Sequence, residues 1–236
     1  MEPLLLSRLS GDRPEIFASV QGEGLSAGLP STFVRLAVCN LRCAWCDTAY
    51  TWDWSRYSRI EQVMTLSVDD VLAEVIAKEP RNVVITGGEP LIQRRQLLPL
   101  LEQLRAANYR VEFETNGTIA PGELTVLVDQ WNVSPKLAHS GNEGLARVRS
   151  AALASFVSCE RANFKFVVQS EHDLHEVERM CHEFAIEPSR VALMPEGRTS
   201  AELGEKSSWL AEACVRRGYR FTSRLHILIW GDKRGV

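Results

Sequence analysis

The sequence predicts an α/β fold, an open parallel sheet of about six strands with helices packed on it. Two observations support that class. Short apolar runs alternate with longer amphipathic stretches, and chemically distinctive residues recur just after the apolar runs, where a parallel sheet places its ligands.

The first strand is expected at 32–37, ahead of a cysteine-rich loop. A helix follows from Ser67, an N-cap with Asp70 in its first turn, and Val71, Leu72, Val75 and Ile76 share its apolar face. The second strand, 83–86, runs into Gly87-Gly88-Glu89-Pro90, and a helix over 94–107 buries Leu97, Leu98, Leu101 and Leu104. The third and fourth strands are expected at 111–114 and 131–133, followed by a weaker helical pattern over 144–154. The fifth strand, 164–168, leads to a helix at 173–184, and the sixth, 191–194, to one at 201–217. This alternation implies right-handed crossovers, and about six strands are too few to close an eight-stranded barrel. Cys39, Gly87, Thr115, Ser134 and Pro195 each follow a strand, so their strand ends should converge on one site. With no repeat, low-complexity tract or linker, residues 1–236 read as a single domain.

Bulk properties exclude several classes. The net charge is −3 with acids and bases interspersed, which argues against a nucleic-acid platform. No apolar run is long enough for a transmembrane helix, and the start Met1-Glu2-Pro3-Leu4-Leu5-Leu6 lacks the form of a secretory signal. Cys159, Cys181 and Cys214 are scattered in apolar or helical contexts and read as buried thiols. A reducing cytoplasm is the expected compartment.

The other cysteines are concentrated. Cys39, Cys43 and Cys46 form C-x3-C-x2-C, and the next cysteine is Cys159. Three thiolates so spaced suit one face of a four-iron cluster and leave one iron open to a small ligand. A zinc site normally takes a closed set of four Cys or His ligands, and no histidine sits at finger-like spacing. A disulfide framework suits short secreted chains.

The C-x3-C-x2-C run followed by Gly87-Gly88-Glu89-Pro90 resembles the radical S-adenosylmethionine (SAM) enzymes. Other segments in order are Val20-Gln21-Gly22-Glu23-Gly24, Cys46-Asp47-Thr48, Glu114-Thr115-Asn116-Gly117-Thr118, Val133-Ser134-Pro135-Lys136, Leu193-Met194-Pro195-Glu196-Gly197 and the tail Trp230-Gly231-Asp232-Lys233-Arg234-Gly235-Val236. The set, which covers nearly the whole chain, is similar to the 7-carboxy-7-deazaguanine synthase family. That resemblance implies an open partial (β/α)6 barrel. It also implies ring contraction of 6-carboxy-5,6,7,8-tetrahydropterin to 7-carboxy-7-deazaguanine with loss of ammonia, in queuosine (deazapurine) biosynthesis. SAM would act catalytically through a 5′-deoxyadenosyl radical.

The resemblance also implies roles. Cys39, Cys43 and Cys46 would hold a [4Fe–4S] cluster. Trp45, Cys46, Asp47, Gly88, Glu89, Ser134, Pro135, Lys136, Leu193, Met194, Pro195 and Glu196 would contact SAM, with Glu89 pairing its ammonium. Val20, Gln21, Gly22, Arg35, Thr86 and Val236 would bind the pterin substrate, Gln21 by paired hydrogen bonds and Arg35 by forking onto a carboxylate. Thr48 would contribute to a Mg2+ site completed by substrate and water. Glu114 and Asn116 are further candidates at a strand end. An electron donor such as flavodoxin or ferredoxin and a homodimer are expected partners. The aromatic stretch 51–65, with Trp52, Trp54 and Tyr57, has no assigned role. A glycyl-radical activase, which shares C-x3-C-x2-C but not the Gln-Gly-Glu-Gly and Cys-Asp-Thr context, and a zinc-stabilised binding module are the rival readings.

Overall fold

The computed structural model describes residues 2–236. Eleven strands form one sheet: β1 Leu4–Leu9, β2 Arg13–Pro14, β3 Ile16–Val20, β4 Pro30–Leu36, β5 Val63–Leu66, β6 Asn82–Gly87, β7 Arg110–Thr115, β8 Gln130–Val133, β9 Ala162–Val168, β10 Val191–Pro195 and β11 Arg220–Phe221. The helices are α1 Arg59–Gln62, α2 Val68–Ile76, α3 Arg94–Ala106, α4 Gly144–Arg147, α5 Ser150–Val157, α6 Glu171–Phe184, α7 Ser200–Arg217 and α8 Leu225–Trp230. Strands β4, β6, β7, β8, β9, β10 and β11 run parallel in that spatial order. The sheet does not close, giving the expected open partial barrel. No helix among the described residues is long and apolar enough to cross a membrane.

All six expected strands are present, five of them extended by a residue or two and the first shifted to Pro30–Leu36, without Ala37. The sequence reading missed the antiparallel flank: β3 pairs with β4, and β1 pairs with β4, β2 and β5. Residues 51–65 are therefore not only a connection, since their last part enters β5. Two burial expectations need correction. Ile76 is 54% exposed, while Val68, Val71 and Val75 are the buried residues of α2. On α3 the buried leucines are Leu97, Leu100, Leu101 and Leu104, with Leu98 only half-buried. The 144–154 pattern splits into α4 and α5.

Capping fixes where the helices begin. Ser67 Oγ accepts from Asp70 N at 3.1 Å, and α6 and α7 open with capping boxes at Ser170/Asp173 and Thr199/Glu202. Along the parallel strands, alternate residues face opposite sides. Val83, Ile85, Val111, Phe113, Trp131, Val133, Phe164 and Phe166 join the apolar core with the helices. Residues of the other parity include Glu112, Asn132 and Lys165, which are buried but polar, so the inside of the barrel is hydrogen-bonded rather than greasy.

Candidate active site

At the C-terminal ends of the parallel strands lies a cavity of about 450 Å3. Its walls include Cys39, Cys43 and Cys46, Thr86 to Gly88, Thr115 and Asn116, Ser134 and Lys136, and Met194 and Glu196. The convergence expected from sequence is present for Cys39, Gly87, Thr115 and Ser134, and at the end of β10 it is Met194 and Glu196 that line the cavity. Trp45, Asp47, Thr48, Val20, Gln21, Gly22, Arg35, Glu114 and Val236 also line it.

Four expected site residues do not. Leu193 and Pro195 are buried in β10, and Pro135 is buried beside the two cavity residues that flank it. Glu89 is wholly buried outside the lining, and its carboxylate accepts from Thr115 Oγ1 at 2.8 Å, Asn116 N at 2.7 Å and Leu91 N at 3.0 Å. These donors engage Glu89 in tying β6 to β7. Burial raises its pKa.

The glycines before it line the cavity and also serve a close approach of backbone to backbone. A Cβ on Gly87 would lie 2.0 Å from Leu36 O, and one on Gly88 would lie 2.0 Å from Val38 O. Gly88 N and Glu89 N instead donate to those carbonyls at 3.0 and 2.9 Å. The pair is needed to press the second strand end against the root of the cysteine loop. There Val38 takes φ +76°, an uncommon conformation for a β-branched residue.

The thiols are prepared for a bound group. Cys39 Sγ accepts from Leu41 N at 3.4 Å, Cys43 Sγ from Asn142 Nδ2 at 3.3 Å and Cys46 Sγ from Trp52 Nε1 at 3.3 Å. Burial pushes the Cys39 thiol up to about 12 and raises that of Cys43, so ionisation there calls for positive charge from a metal group. Among the described residues no three Cys, His, Asp or Glu side chains are grouped to hold one ion. Three cysteines on one loop, each sulfur with an N–H donor, are a donor set that fits a four-iron cluster with one open iron. Cys159, Cys181 and Cys214 are buried outside the cavity lining.

Sequence reasoning missed the charged network beneath. Lys165 Nζ lies 2.5 Å from Glu23 Oε2 and 3.1 Å from Glu114 Oε2. Arg224 donates to Glu23 Oε1 at 3.0 Å, to Gly197 O at 2.7 Å and to Asp47. Burial works against the Glu23 charge, but Lys165 and then Arg224 outweigh it and keep the carboxylate ionised. For Glu114 burial prevails over Lys165 and raises the pKa. Asp47, expected to offer backbone to SAM, commits its side chain to Arg224. Gln21 is also committed, with Nε2 donating to Glu112 Oε1 at 2.9 Å and Glu114 Oε1 at 3.3 Å. Gly22 makes room for His226, since a Cβ there would lie 2.1 Å from its Nδ1. His226 lies on the cavity wall, and burial lowers its pKa.

Arg35 is positioned differently. Its Nε donates to Glu15 Oε1 at 2.8 Å, and its terminal nitrogens have no acceptor among the described residues. A guanidinium edge therefore faces the cavity, ready for an anion.

An open α/β barrel with three hydrogen-bonded cysteine thiols at its strand ends defines a radical SAM enzyme. The Radical SAM superfamily model matches residues 34–151. A 7-carboxy-7-deazaguanine synthase of Pyrobaculum aerophilum is 44% identical, with 94% of this chain and 95% of the relative covered. The synthase of Halobacterium salinarum is 38% identical, with 94% and 93% covered. The crystal structure of QueE from Escherichia coli superposes with a TM-score of 0.71 at 28% identity, covering 95% of each chain. The chain belongs to the 7-carboxy-7-deazaguanine synthase family of the radical SAM superfamily, which uses a [4Fe–4S] cluster and SAM.

With the cluster identified, the Trp52 contact yields a prediction. An N–H···S bond withdraws electron density from a thiolate and raises a cluster's reduction potential. Trp52→Phe keeps a ring and removes the N–H, so the midpoint potential of the reconstituted cluster should become more negative. An unchanged EPR-monitored redox titration would show that the indole does not influence the cluster.

Proposed function

We propose that this protein converts 6-carboxy-5,6,7,8-tetrahydropterin to 7-carboxy-7-deazaguanine with release of ammonia, in deazapurine (queuosine) biosynthesis. One observation carries the reading: a three-cysteine loop and the unpaired guanidinium edge of Arg35 line the same cavity. Cys39, Cys43 and Cys46 hold the cluster. When bound, the cluster and SAM together supply the radical that begins the reaction.

The chain's own residues bind, orient and shield. Trp45, Cys46, Asp47, Gly88, Ser134, Lys136, Met194 and Glu196 form the SAM side. Lys136 supports it by donating to Ser134 Oγ at 2.8 Å and lying 5.6 Å from the Trp45 ring centroid. Val20, Gln21, Gly22, Arg35, Thr86 and Val236 form the substrate side, with Arg35 taking the carboxylate and the Gln21 amide held in place by Glu112 and Glu114. Thr48, on the cavity wall, would contribute its hydroxyl to a Mg2+ ion, which would bring positive charge to the substrate. The Glu23–Lys165–Glu114 pairs and Arg224 keep the cavity floor rigid and its charges compensated.

The reading includes a flavodoxin or ferredoxin as electron donor, a reducing cytoplasm and a homodimer as a single-domain protomer. Six free cysteines suit that compartment. Leu228 and Ile229, each about half exposed on α8, supply apolar surface for a second copy. The activase reading lacks a comparable observation in its favour.

Calorimetry on the anaerobic, SAM-loaded protein tests the Arg35 assignment. The carboxylated tetrahydropterin should bind at least about tenfold more tightly than the analogue lacking the carboxylate, as a charge-assisted pair implies. Equal affinities would remove Arg35 from the substrate site.

A further inference from the structure

We propose that Glu15 and Arg234 form a clasp that docks the C-terminal segment 232–236 at the cavity and, through the same carboxylate, positions Arg35. Glu15 lies between β2 and β3 and is wholly buried. Its Oε1 accepts from Arg35 Nε at 2.8 Å and Tyr50 OH at 3.1 Å, and its Oε2 accepts from Arg234 Nε at 2.9 Å. One carboxylate thus bridges the cavity arginine and the tail.

The rest of Arg234 is equally committed. It donates to Gln62 Oε1 at 3.0 Å, Ser7 Oγ at 2.7 Å and Arg8 O at 2.6 Å, and its guanidinium carbon lies 3.7 Å from the Tyr50 ring centroid. Among the described residues, no backbone–backbone hydrogen bond ties 232–236 to the body. The segment hangs on side chains. Its other anchor, Asp232 with Arg198, is a surface pair, 40% and 48% exposed, of the kind that contributes little. Arg234 is the principal anchor, yet Asp232, Lys233, Gly235 and Val236 still reach the cavity wall.

This shared carboxylate has two consequences. Loss of the Glu15 charge frees the tail, and it also releases Arg35 from the orientation that directs its terminal nitrogens into the cavity. Glu15 and Arg234 are positioning residues. Tail docking is independent of the proposed substrate, whereas the effect on pterin binding rests on the proposed function.

Trypsin reads the docking directly, because it must take the Lys233 or Arg234 side chain into its own pocket. In the intact wild-type chain, Gly235 and Val236 should stay attached, as followed by intact mass. In Glu15→Gln they should be released at least about tenfold faster, the scale of losing a charge-assisted bond to a buried group. Arg234→Ala leaves Glu15 in place and should release the tail after Lys233 at a similarly raised rate, which preserves the test if Glu15→Gln fails to fold. Release at the wild-type rate in both variants would overturn the clasp.

The coupling is read from turnover. KM for the carboxypterin should rise about tenfold in Glu15→Gln, more than in Arg234→Ala, which frees the tail but leaves the Glu15–Arg35 pair in place, and kcat should change less than KM. Equal KM values in those two variants would overturn the coupling. A wild-type chain inactive on carboxypterin would instead refute the proposed function, while the trypsin result would still decide the clasp.

Discussion

Cys43→Ala should yield a protein that no longer retains an iron–sulfur chromophore and neither cleaves SAM nor forms product. Three thiolates are the least that hold a cluster while leaving one iron open, and no other cysteine lines the cavity to replace the lost one. Cys43 is buried, so water does not readily take its place as a ligand. The loss should exceed the roughly 10–100-fold caused by removing a hydrogen-bond partner of a metal ligand. Asn142→Leu, which deletes the donor to Cys43 but keeps the thiol, supplies that milder comparison. Iron and sulfide content after anaerobic reconstitution, with the visible spectrum, is the check. A Cys43→Ala protein with wild-type iron content would be incompatible with the assigned ligand set.

Arg224→Met should destabilise the fold by about 1–3 kcal/mol, the cost of removing charge-assisted hydrogen bonds from partly buried acceptors. Arg224 joins Glu23 on the Gln-Gly-Glu-Gly loop, Asp47 beside the last cluster cysteine and Gly197 after β10. Its loss leaves Lys165 alone to compensate Glu23 and leaves Asp47 unpaired. The pH dependence follows from the same contacts. Burial opposes ionisation of Glu23 and Asp47, but both pKa values are lowered in the folded protein, with Arg224 contributing to each. Their stabilisation is present above the unfolded carboxylate values and lost as pH falls through the folded ones. Without Arg224 the folded values rise, so acid unfolding should begin at higher pH. Urea unfolding at neutral pH and an acid titration followed by circular dichroism test both parts. A stability loss below about 1 kcal/mol with an unmoved acid transition would mean that the network carries little energy.

What the sequence revealed follows from periodicity. The six central strands were visible because their helix-facing residues form short apolar runs. The antiparallel flank was less legible. The partners of β1 and β3 are set by register across the sheet rather than by any local signal. The cluster loop was the clearest part of the site, because thiolate ligation demands one residue type at fixed spacing.

The charged floor went unseen, although a signal existed. In Val111-Glu112-Phe113-Glu114, Trp131-Asn132-Val133 and Phe164-Lys165-Phe166, polar residues alternate with core residues, as expected of strands with one polar face. Reading them only as apolar runs hid the inner face of the barrel. Arg224 and His226 had no such pattern, lying outside the central strands and reaching the site only through the final turn of the chain. Glu89 shows the opposite case. Its motif was evident, but its three donors come from Leu91, Thr115 and Asn116, a local and tertiary combination that strand and turn patterns do not specify.

The most direct test of the account is turnover by the anaerobically reconstituted wild-type protein supplied with SAM, dithionite, Mg2+ and 6-carboxy-5,6,7,8-tetrahydropterin. The account predicts 7-carboxy-7-deazaguanine and ammonia in equal amounts, with product exceeding SAM consumed. SAM cleavage without that product, by a protein carrying a full cluster, would contradict the substrate assigned to this cavity.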